Sequence, residues 1–434
     1  MQLTKKEVFF TGLALLAMFF GAGNLIFPPF LGQQAGAHLW TAMFGFIVTG
    51  VGLPLMGVMA VAKAGGDLEY LANRVHPLFS KIITTIVVLS IGPLLAIPRT
   101  AATTYEVAVV PFIGKASGLS LAITSLIFFV VVLLFVLRGS KIVDDIGKIL
   151  TPFLIIFLAI VIIKGIIAPQ GTIGVAQFEA PFSKGFLEGY NTMDALASVI
   201  FGMVIVNALQ AKGIKNKKVI EKATIWAGII AATGLSTIYL GLAYIGATTG
   251  SSFAGDNPGQ MLSFLTTTLL GSIGRTVIAI AMTLACLTTA IGLVACCGNF
   301  FNRLSNDRIS YNRVCIITVL VSLLLANMGL AKILEVSVPL LVTVYPIIIV
   351  LVMLALCHNL FNGNRMVYVA SIIGTSAVVL TGLVEMIATK IGAEVQGITN
   401  LMAMIPWHDQ GLGWVMPALL TAALGLFVSP KQQN

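Results

Sequence analysis

The sequence predicts an all-α membrane protein with twelve transmembrane helices. The composition is one reason, because mean hydropathy is +1.02, 58% of residues are hydrophobic and 9% are charged, whereas soluble domains carry nearer a quarter charged residues. The lengths of the apolar runs are another: residues 8–62 contain no Lys, Arg, Asp or Glu, which is room for two spans of about 20 residues each. No large polar region separates the runs, so any function must be built in or across the membrane.

The distribution of positive charge predicts the orientation. If both termini are cytoplasmic, 18 of the 25 Lys and Arg residues fall on the cytoplasmic side, as is typical of membrane proteins. The net charge of +9 is therefore a topological signal, and nucleic-acid binding is not expected without a basic face on a soluble domain. Five cysteines, mostly in apolar runs, argue against a disulfide framework or a zinc site.

The apolar runs give the order of the spans. The first two occupy 8–62, and the third starts near residue 82. The others are predicted at 117–137, 149–167, 191–210, 223–247, 276–297, 314–330, 336–357, 367–388 and 413–428. We expect one transmembrane domain over 1–434, with spans one to five (8–168) and six to ten (190–358) as two halves of opposite orientation, because five is odd. Spans eleven and twelve (367–428) and the segment 395–408 suggest no role.

The first span contains a stretch that is poor in helix-forming residues. Gly21 and Gly23 weaken a helix, Asn24 competes for its backbone hydrogen bonds, and Pro28 and Pro29 lack amide protons. Unwound backbone survives in hydrocarbon only where it is buried in protein or lines a cavity, and its free carbonyls and amides can bind a cation and a carboxylate. Close helix packing on small residues would explain the glycines alone.

The eighth span carries a group of oxygen atoms suited to a hard cation. Thr288 and Thr289 are adjacent, and the carbonyl of Ala285 lies about one turn before them. Such oxygens are the ligands that hard cations prefer, so a Na⁺ site is one interpretation. The alternative is that both hydroxyls bond back to the preceding turn of their own helix.

These segments resemble a known family. Gly21–Asn24 followed by Phe-Pro resembles the first unwound helix of LeuT-type amino acid transporters, and Leu287–Thr289 resembles their sodium motif in span eight. With the segments 24–30 and 97–100, the whole chain resembles the bacterial branched-chain amino acid:cation symporters (BrnQ-type carriers). The resemblance implies a LeuT-type 5+5 inverted repeat with broken helices 1 and 6 and two extra C-terminal helices, in a bacterial cytoplasmic membrane.

The resemblance also implies which residues bind the transported species. The residues expected at the substrate, from span one and from a break in span six, are Gly21, Ala22, Gly23, Asn24, Phe201, Gly202 and Met203. The residues expected to bind Na⁺ are Ala17, Phe20 and Ala285 through carbonyls and Thr288 and Thr289 through hydroxyls. Ala22 and Ala290 depart from the commoner LeuT-type residues, so we expect one sodium ion and not two.

The function implied is import of Leu, Ile or Val by symport with Na⁺. A zwitterion needs both of its charges answered near the midplane, and an apolar pocket distinguishes the three side chains poorly, since one methylene is worth about 1–3 kcal/mol. Coupling to H⁺, with Asp194 as the relay, and transport of another neutral amino acid stay open; a passive channel is a remoter alternative. No catalytic residues, no cofactor beyond the coupling ion and no obligatory protein partner are expected.

Arg99 is an ionisable residue inside span three, and such residues are functional by default. We hypothesise that Arg99 pairs with Glu106 or Asp194 as an outer gate, or supports a kink at Pro98. The alternative is that its long side chain reaches the outer membrane interface.

Overall fold

The computed structural model describes residues 4–65, 67–138, 142–393 and 395–428, and within 142–151 the course of the backbone alone. Its helices, in chain order, are α1 (Lys5–Phe19), α2 (Ala22–Ala35), α3 (Leu39–Ile47), α4 (Leu53–Ala64), α5 (Leu68–Ala72), α6 (Pro77–Leu89), α7 (Ala96–Ala108), α8 (Val110–Ile113), α9 (Gly118–Arg138), α10 (Ile142–Ile167), α11 (Pro181–Tyr190), α12 (Asp194–Ala211), α13 (Lys217–Thr248), α14 (Pro258–Leu304), α15 (Tyr311–Ala326), α16 (Leu330–Leu356), α17 (Arg365–Lys390), α18 (Gln396–Ala403) and α19 (Val415–Phe427). The predicted all-α membrane architecture is confirmed.

Membrane-crossing helices dominate the described part of the chain. Eight helical stretches there are long and apolar enough to cross a membrane, and three shorter apolar helices accompany them. The count of twelve spans and the inverted repeat stay predictions. Segment 395–408, which suggested no role, contains the short helix α18.

The first span is broken at the predicted place. α1 ends at Phe19 and α2 begins at Ala22, while Phe20 and Gly21 between them have non-helical backbone angles. Pro28 and Pro29 lie inside α2 without ending it, so the interruption comes from the glycine side of the motif. Of the two unwound residues, Phe20 is 6% exposed and Gly21 is partly exposed, and residues 22–29 that follow them are all buried. The irregular backbone is thus largely covered by protein, as the membrane interior requires unless it lines a cavity.

The sixth span is broken ten residues earlier than predicted. α11 precedes a non-helical segment at residues 191–193, in which Met193 has the left-handed backbone conformation (φ 62°), and α12 follows it. Span six therefore begins before residue 191, and the predicted boundary of the second half at residue 190 falls inside the broken span. Residues 181–190, which lie between the predicted fifth and sixth spans, form a helix that begins with Pro181, where proline is well tolerated.

The predicted break at Phe201–Met203 is wrong, because α12 continues through these residues. Gly202 allows close packing here: a methyl group on it would lie 3.1 Å from Val58 Cα of α4. Low helix propensity is a weak guide where tertiary packing favours the helix.

The third span is interrupted before Pro98. A π-helical turn occupies Ser90–Leu94, with non-helical angles at Gly92. Pro98 lies in the first turn of α7, where a missing amide proton has no cost, so a kink at Pro98 is not found. The interruption separates α6 from α7, and α7 carries Arg99 against both broken spans.

Glycines bring the helices around the first break into close contact. A methyl group on Gly32 of α2 would overlap the carbonyl oxygen of Ala243 in α13, and one on Gly246 of α13 would overlap that of Pro29. Small residues at such crossings allow backbones to approach closely, as is common in membrane proteins. α2 is thereby packed tightly on α13, which carries Tyr239.

Candidate functional site

The two breaks lie against each other and are joined by a buried hydrogen-bond network. Asn24 Nδ2 donates to Asp194 Oδ2 at 2.5 Å and also to the hydroxyl of Tyr239. That hydroxyl lies 3.3 Å from Asp194 Oδ2, and Asn24 Oδ1 accepts from the amide of Gly21 at 3.1 Å. The side chain of Asn24 therefore contacts both breaks: it binds Gly21 at the end of the span-one break and Asp194, the first residue after the span-six break.

This network contains a carboxylate within a membrane-spanning helix. Asp194 is 4% exposed, Asn24 is 1% exposed and Tyr239 is fully buried. Ionisable groups at such positions are costly and usually functional. Asp194 is the first residue of α12, and negative charge is favoured at a helix N-terminus. The arrangement suits a carboxylate that accepts hydrogen bonds from neutral donors.

The break in span one leaves carbonyl oxygens free. The amide of Gly21 donates to Phe19 O at 2.8 Å and that of Phe20 to Leu16 O at 3.0 Å. Within the described residues, no backbone amide donates to the carbonyl oxygens of Ala17 or Phe20. Carbonyl oxygens without a donor are suitable ligands for a hard cation.

Thr289 of α14 lies beside this break. A methyl group on Gly21 would lie 3.9 Å from Thr289 Oγ1, so the threonine is next to the unwound segment. Thr288 Oγ1 donates to Ala285 O at 3.0 Å, which is the back-bonding that the alternative interpretation describes. A hydroxyl that donates still has lone pairs to offer, so carbonyl and hydroxyl oxygens of both helices fit a Na⁺ ion chemically.

Arg99 connects α7 to both breaks. Its Nη1 donates to the backbone carbonyl of Asn191 at 2.5 Å, and its guanidinium lies over the ring of Phe27, 5.4 Å from the centroid. A methyl group on Gly23 would lie 3.0 Å from Arg99 Nη2. With 5% exposure, Arg99 is enclosed by protein and does not reach an interface.

The hypothesised ion pairs of Arg99 are not formed in the described part of the structure. Glu106 instead accepts a hydrogen bond from Gln260 Nε2 of α14 at 2.8 Å. Asp194 borders the same break as Arg99 but has no salt bridge with it. Arg99 instead contacts the unwound backbone of span six. It therefore lies beside the candidate site and does not form the hypothesised outer ion-pair gate.

Phe201, Gly202 and Met203 lie two or more turns beyond the span-six break. The ring of Phe201 packs edge-on against Phe19, at 5.3 Å between centroids, which brings it to the end of α1. The residues that sequence reasoning missed are Phe27, Asn191, Met193 and Tyr239. The polar run Asn191–Thr192 before Asp194 was a usable signal; nothing local in the sequence marks Tyr239.

The chain matches the family model described as branched-chain amino acid transport protein over residues 4–432. It is 44% identical to the branched-chain amino acid permease BraB of Bacillus subtilis, covering 100% of this chain and 98% of that protein. It is 35% identical to the branched-chain amino acid permease BrnQ of Escherichia coli K12, covering 98% and 96%. The resemblance found in the sequence is thereby confirmed.

Solved structures share the fold. Mhp1 in an inward-facing conformation matches with a TM-score of 0.66 at 13% identity, covering 97% of this chain and 90% of that one. Mhp1, a nucleobase-cation-symport-1 family transporter, in a closed conformation with bromovinylhydantoin matches with a TM-score of 0.64 at 12% identity, covering 96% and 91%. The chain belongs to the branched-chain amino acid transport protein family, whose members are multi-pass membrane transporters and not enzymes.

Proposed function

We propose that this protein is a secondary active symporter that imports Leu, Ile and Val together with Na⁺ across a bacterial cytoplasmic membrane, with both termini in the cytoplasm. The observation that carries the proposal is the meeting of two broken spans at Asn24 and Asp194, beside Thr289 of α14. Broken spans of this kind are where transporters bind substrates and ions, and the relatives of the chain are named for branched-chain amino acids.

The amino acid would lie between the two breaks. The first-turn amides of α2, at Ala22 and Gly23, suit its carboxylate because a helix N-terminus attracts negative charge. Phe201 and Met203 remain candidates for the apolar wall, since Phe201 contacts Phe19 at the end of α1. Burial of a branched side chain there is worth about 1.5–3 kcal/mol, with little discrimination among the three substrates.

Na⁺ would be bound by Ala17, Phe20, Ala285, Thr288 and Thr289. These residues belong to α1 and the unwound segment on one side and to α14 on the other, so a bound ion favours the conformation in which the two helices are close. A ligand shifts a conformational equilibrium only through its differential affinity for the two states. Ion binding would therefore couple the Na⁺ gradient to the accessibility of the substrate site.

A proton-coupled carrier of the same amino acids is the second candidate. The observation that favours it is the buried carboxylate of Asp194, because carboxylates inside membrane helices commonly relay protons. In that case the hydroxyls of Thr288 and Thr289 would not be needed for coupling.

The test is uptake of labelled leucine into proteoliposomes with inward Na⁺ and H⁺ gradients imposed separately. We expect accumulation with Na⁺ alone, its loss in Thr288→Ala/Thr289→Ala, and its retention in the control Thr283→Ala. Thr283 lies on the same helix and bonds back to Ala279 O at 2.7 Å. Accumulation with H⁺ alone would refute sodium coupling, and flux without accumulation would indicate a channel.

A further inference from the structure

We propose that Arg99 and Asp194 recognise the two charged ends of the substrate, the guanidinium binding the α-carboxylate and the Asp194 carboxylate binding the α-ammonium group. The inference rests on the proposed function, amino acid transport, and adds the residues that select a zwitterion. The Na⁺ site described above is built from α1, the unwound segment after it and α14, and it uses neither Arg99 nor Asp194.

Arg99 is a buried cation with too few partners. A guanidinium has five N–H donors and always carries its charge. In the described part of the chain it forms one hydrogen bond, to the neutral backbone carbonyl of Asn191. No acidic side chain of the described part forms a salt bridge with it, and a buried charge left without a direct partner of opposite charge is costly. Arg99 therefore has both the free donors and the energetic need for an anion.

The free side of the guanidinium faces a helix N-terminus that also lacks acceptors. Nη2 of Arg99 would lie 3.0 Å from a methyl group on Gly23, in the first turn of α2. No described residue accepts a hydrogen bond from the amides of Ala22 or Gly23, as is usual for the first turn of a helix. Two independent groups of donors thus converge at Gly23. A planar carboxylate suits the guanidinium fork.

Asp194 provides the opposite charge beside the same break in span six. Its described side-chain partners are neutral donors, Asn24 Nδ2 and the Tyr239 hydroxyl, and no salt bridge joins it to a cationic side chain of the described part. It follows Asn191, the partner of Arg99, by three residues, so the two charges border one break. An ammonium group bound between them would give Asp194 the cation it lacks.

This arrangement predicts which analogues the protein rejects. An amine without a carboxylate would leave Arg99 uncompensated, and an acid without an amine would leave Asp194 uncompensated. Sites with buried polar groups reject ligands that fail to pair them far more strongly than apolar pockets reject a missing methylene. We therefore expect 3-methylbutylamine and 4-methylpentanoate, which keep the side chain of leucine, to compete poorly with it.

The experiment measures binding of labelled leucine, and competition by the two analogues, with the full chain in nanodiscs containing Na⁺. We expect Arg99→Gln and Asp194→Asn each to weaken leucine binding by about 100-fold or more, and Arg99→Lys to recover part of the loss. The ratio of affinities is the decisive readout: Arg99→Gln should narrow the gap between leucine and 3-methylbutylamine, and Asp194→Asn the gap between leucine and 4-methylpentanoate. A purely structural role would weaken all ligands equally.

Two residues outside the breaks provide matched controls. Arg275 also has a guanidinium over an aromatic ring, that of Phe112, and beside a backbone carbonyl, that of Pro111. Glu106 is a buried carboxylate held by one amide donor. The leucine affinities of Arg275→Gln and Glu106→Gln should lie within about threefold of that of the unmodified protein, since neither change removes a charge beside the two breaks.

Several outcomes would overturn the inference. Unchanged leucine affinity in Arg99→Gln or Asp194→Asn would do so, as would an equal loss for all three ligands. If Asp194→Asn exchanges leucine normally across proteoliposomes but no longer accumulates it, Asp194 carries a proton and does not bind the ammonium. Failure of the proposed function is distinguishable, because the unmodified protein would then neither bind nor transport leucine.

Discussion

Asn24 Nδ2 lies 2.5 Å from Asp194 Oδ2, although the two residues are 170 positions apart in the chain. Asn24 is in the first turn of α2 and Asp194 is the first residue of α12. The hydrogen bond therefore fixes the two half-spans relative to each other just where each begins again after its break. When Asp194 is ionised, the bond is of the stronger, charge-assisted kind, and the two half-spans should then move as one unit during transport.

Replacement of Asn24 by Leu should destabilise the protein. The change keeps the size of the side chain and removes the donor to Asp194 and the acceptor for Gly21, so the expected loss is about 1.5–3 kcal/mol. The measurement is the thermal midpoint of the purified protein in detergent, followed by tryptophan fluorescence. Leucine uptake should be lost as well, since Asn24 is a predicted substrate residue.

The double variant Asn24→Leu/Asp194→Leu distinguishes the contribution of the hydrogen bond between the two side chains from the effect of changed packing. Removal of both partners leaves neither an unpaired carboxylate at position 194 nor an unpaired amide at position 24, so the double variant should be more stable than the sum of the two single losses predicts. Strict additivity would contradict a direct interaction between the two side chains.

The sequence was informative where a break is encoded locally. Gly21, Gly23 and Asn24 all disfavour a helix within four residues, and the interruption of span one is at this motif. The proline pair contributed less than expected, because both prolines lie inside α2. Composition and apolar run lengths were likewise sufficient for the all-α membrane class.

The break in span six could not be predicted from propensity, because it depends on contacts from other helices. Arg99 of α7 binds the carbonyl of Asn191 and Asn24 of α2 binds Asp194, so the unwound residues obtain their partners from segments distant in sequence. Lys184 and Glu188 lie in α11, outside the predicted spans, and form an i,i+4 pair with 2.8 Å between Nζ and Oε1. The role of Tyr239 is likewise purely tertiary.

Replacement of Gly32 by Ala should weaken the crossing of α2 and α13. The new methyl group would overlap the carbonyl oxygen of Ala243, and backbone cannot move aside as cheaply as a flexible side chain. Overpacking of this kind costs about 1–3 kcal/mol. We expect a lower thermal midpoint and reduced leucine uptake. Gly397→Ala is the control, since nothing lies within 4 Å of a methyl group there; equal midpoints for the two variants would show that the crossing tolerates separation.

His358 should make stability depend on pH. It lies in the 3₁₀ turn His358–Phe361 between α16 and α17, where Arg74 Nη1 is 3.0 Å from its Nδ1. Burial, Arg74 and Lys63 lower the pKa of His358 below its ordinary value. The unfolded chain then binds a proton more readily than the folded one, so the contribution of neutral His358 is present above about pH 6.5 and is lost as the pH falls below it.

Acidification from about pH 7.5 to about pH 5.5 should therefore lower the thermal midpoint, and His358→Gln should reduce this dependence. Glutamine keeps an acceptor for Arg74 and does not titrate. The range lies above the ordinary pKa values of carboxyl groups, about 4, so exposed acidic residues contribute little to the change. His38→Gln, at an exposed position in the turn before α3, should retain the full dependence. If the thermal midpoint of His358→Gln depends on pH as strongly as that of the unmodified protein, protonation of His358 does not weaken the contact between Arg74 and the turn that joins α16 to α17.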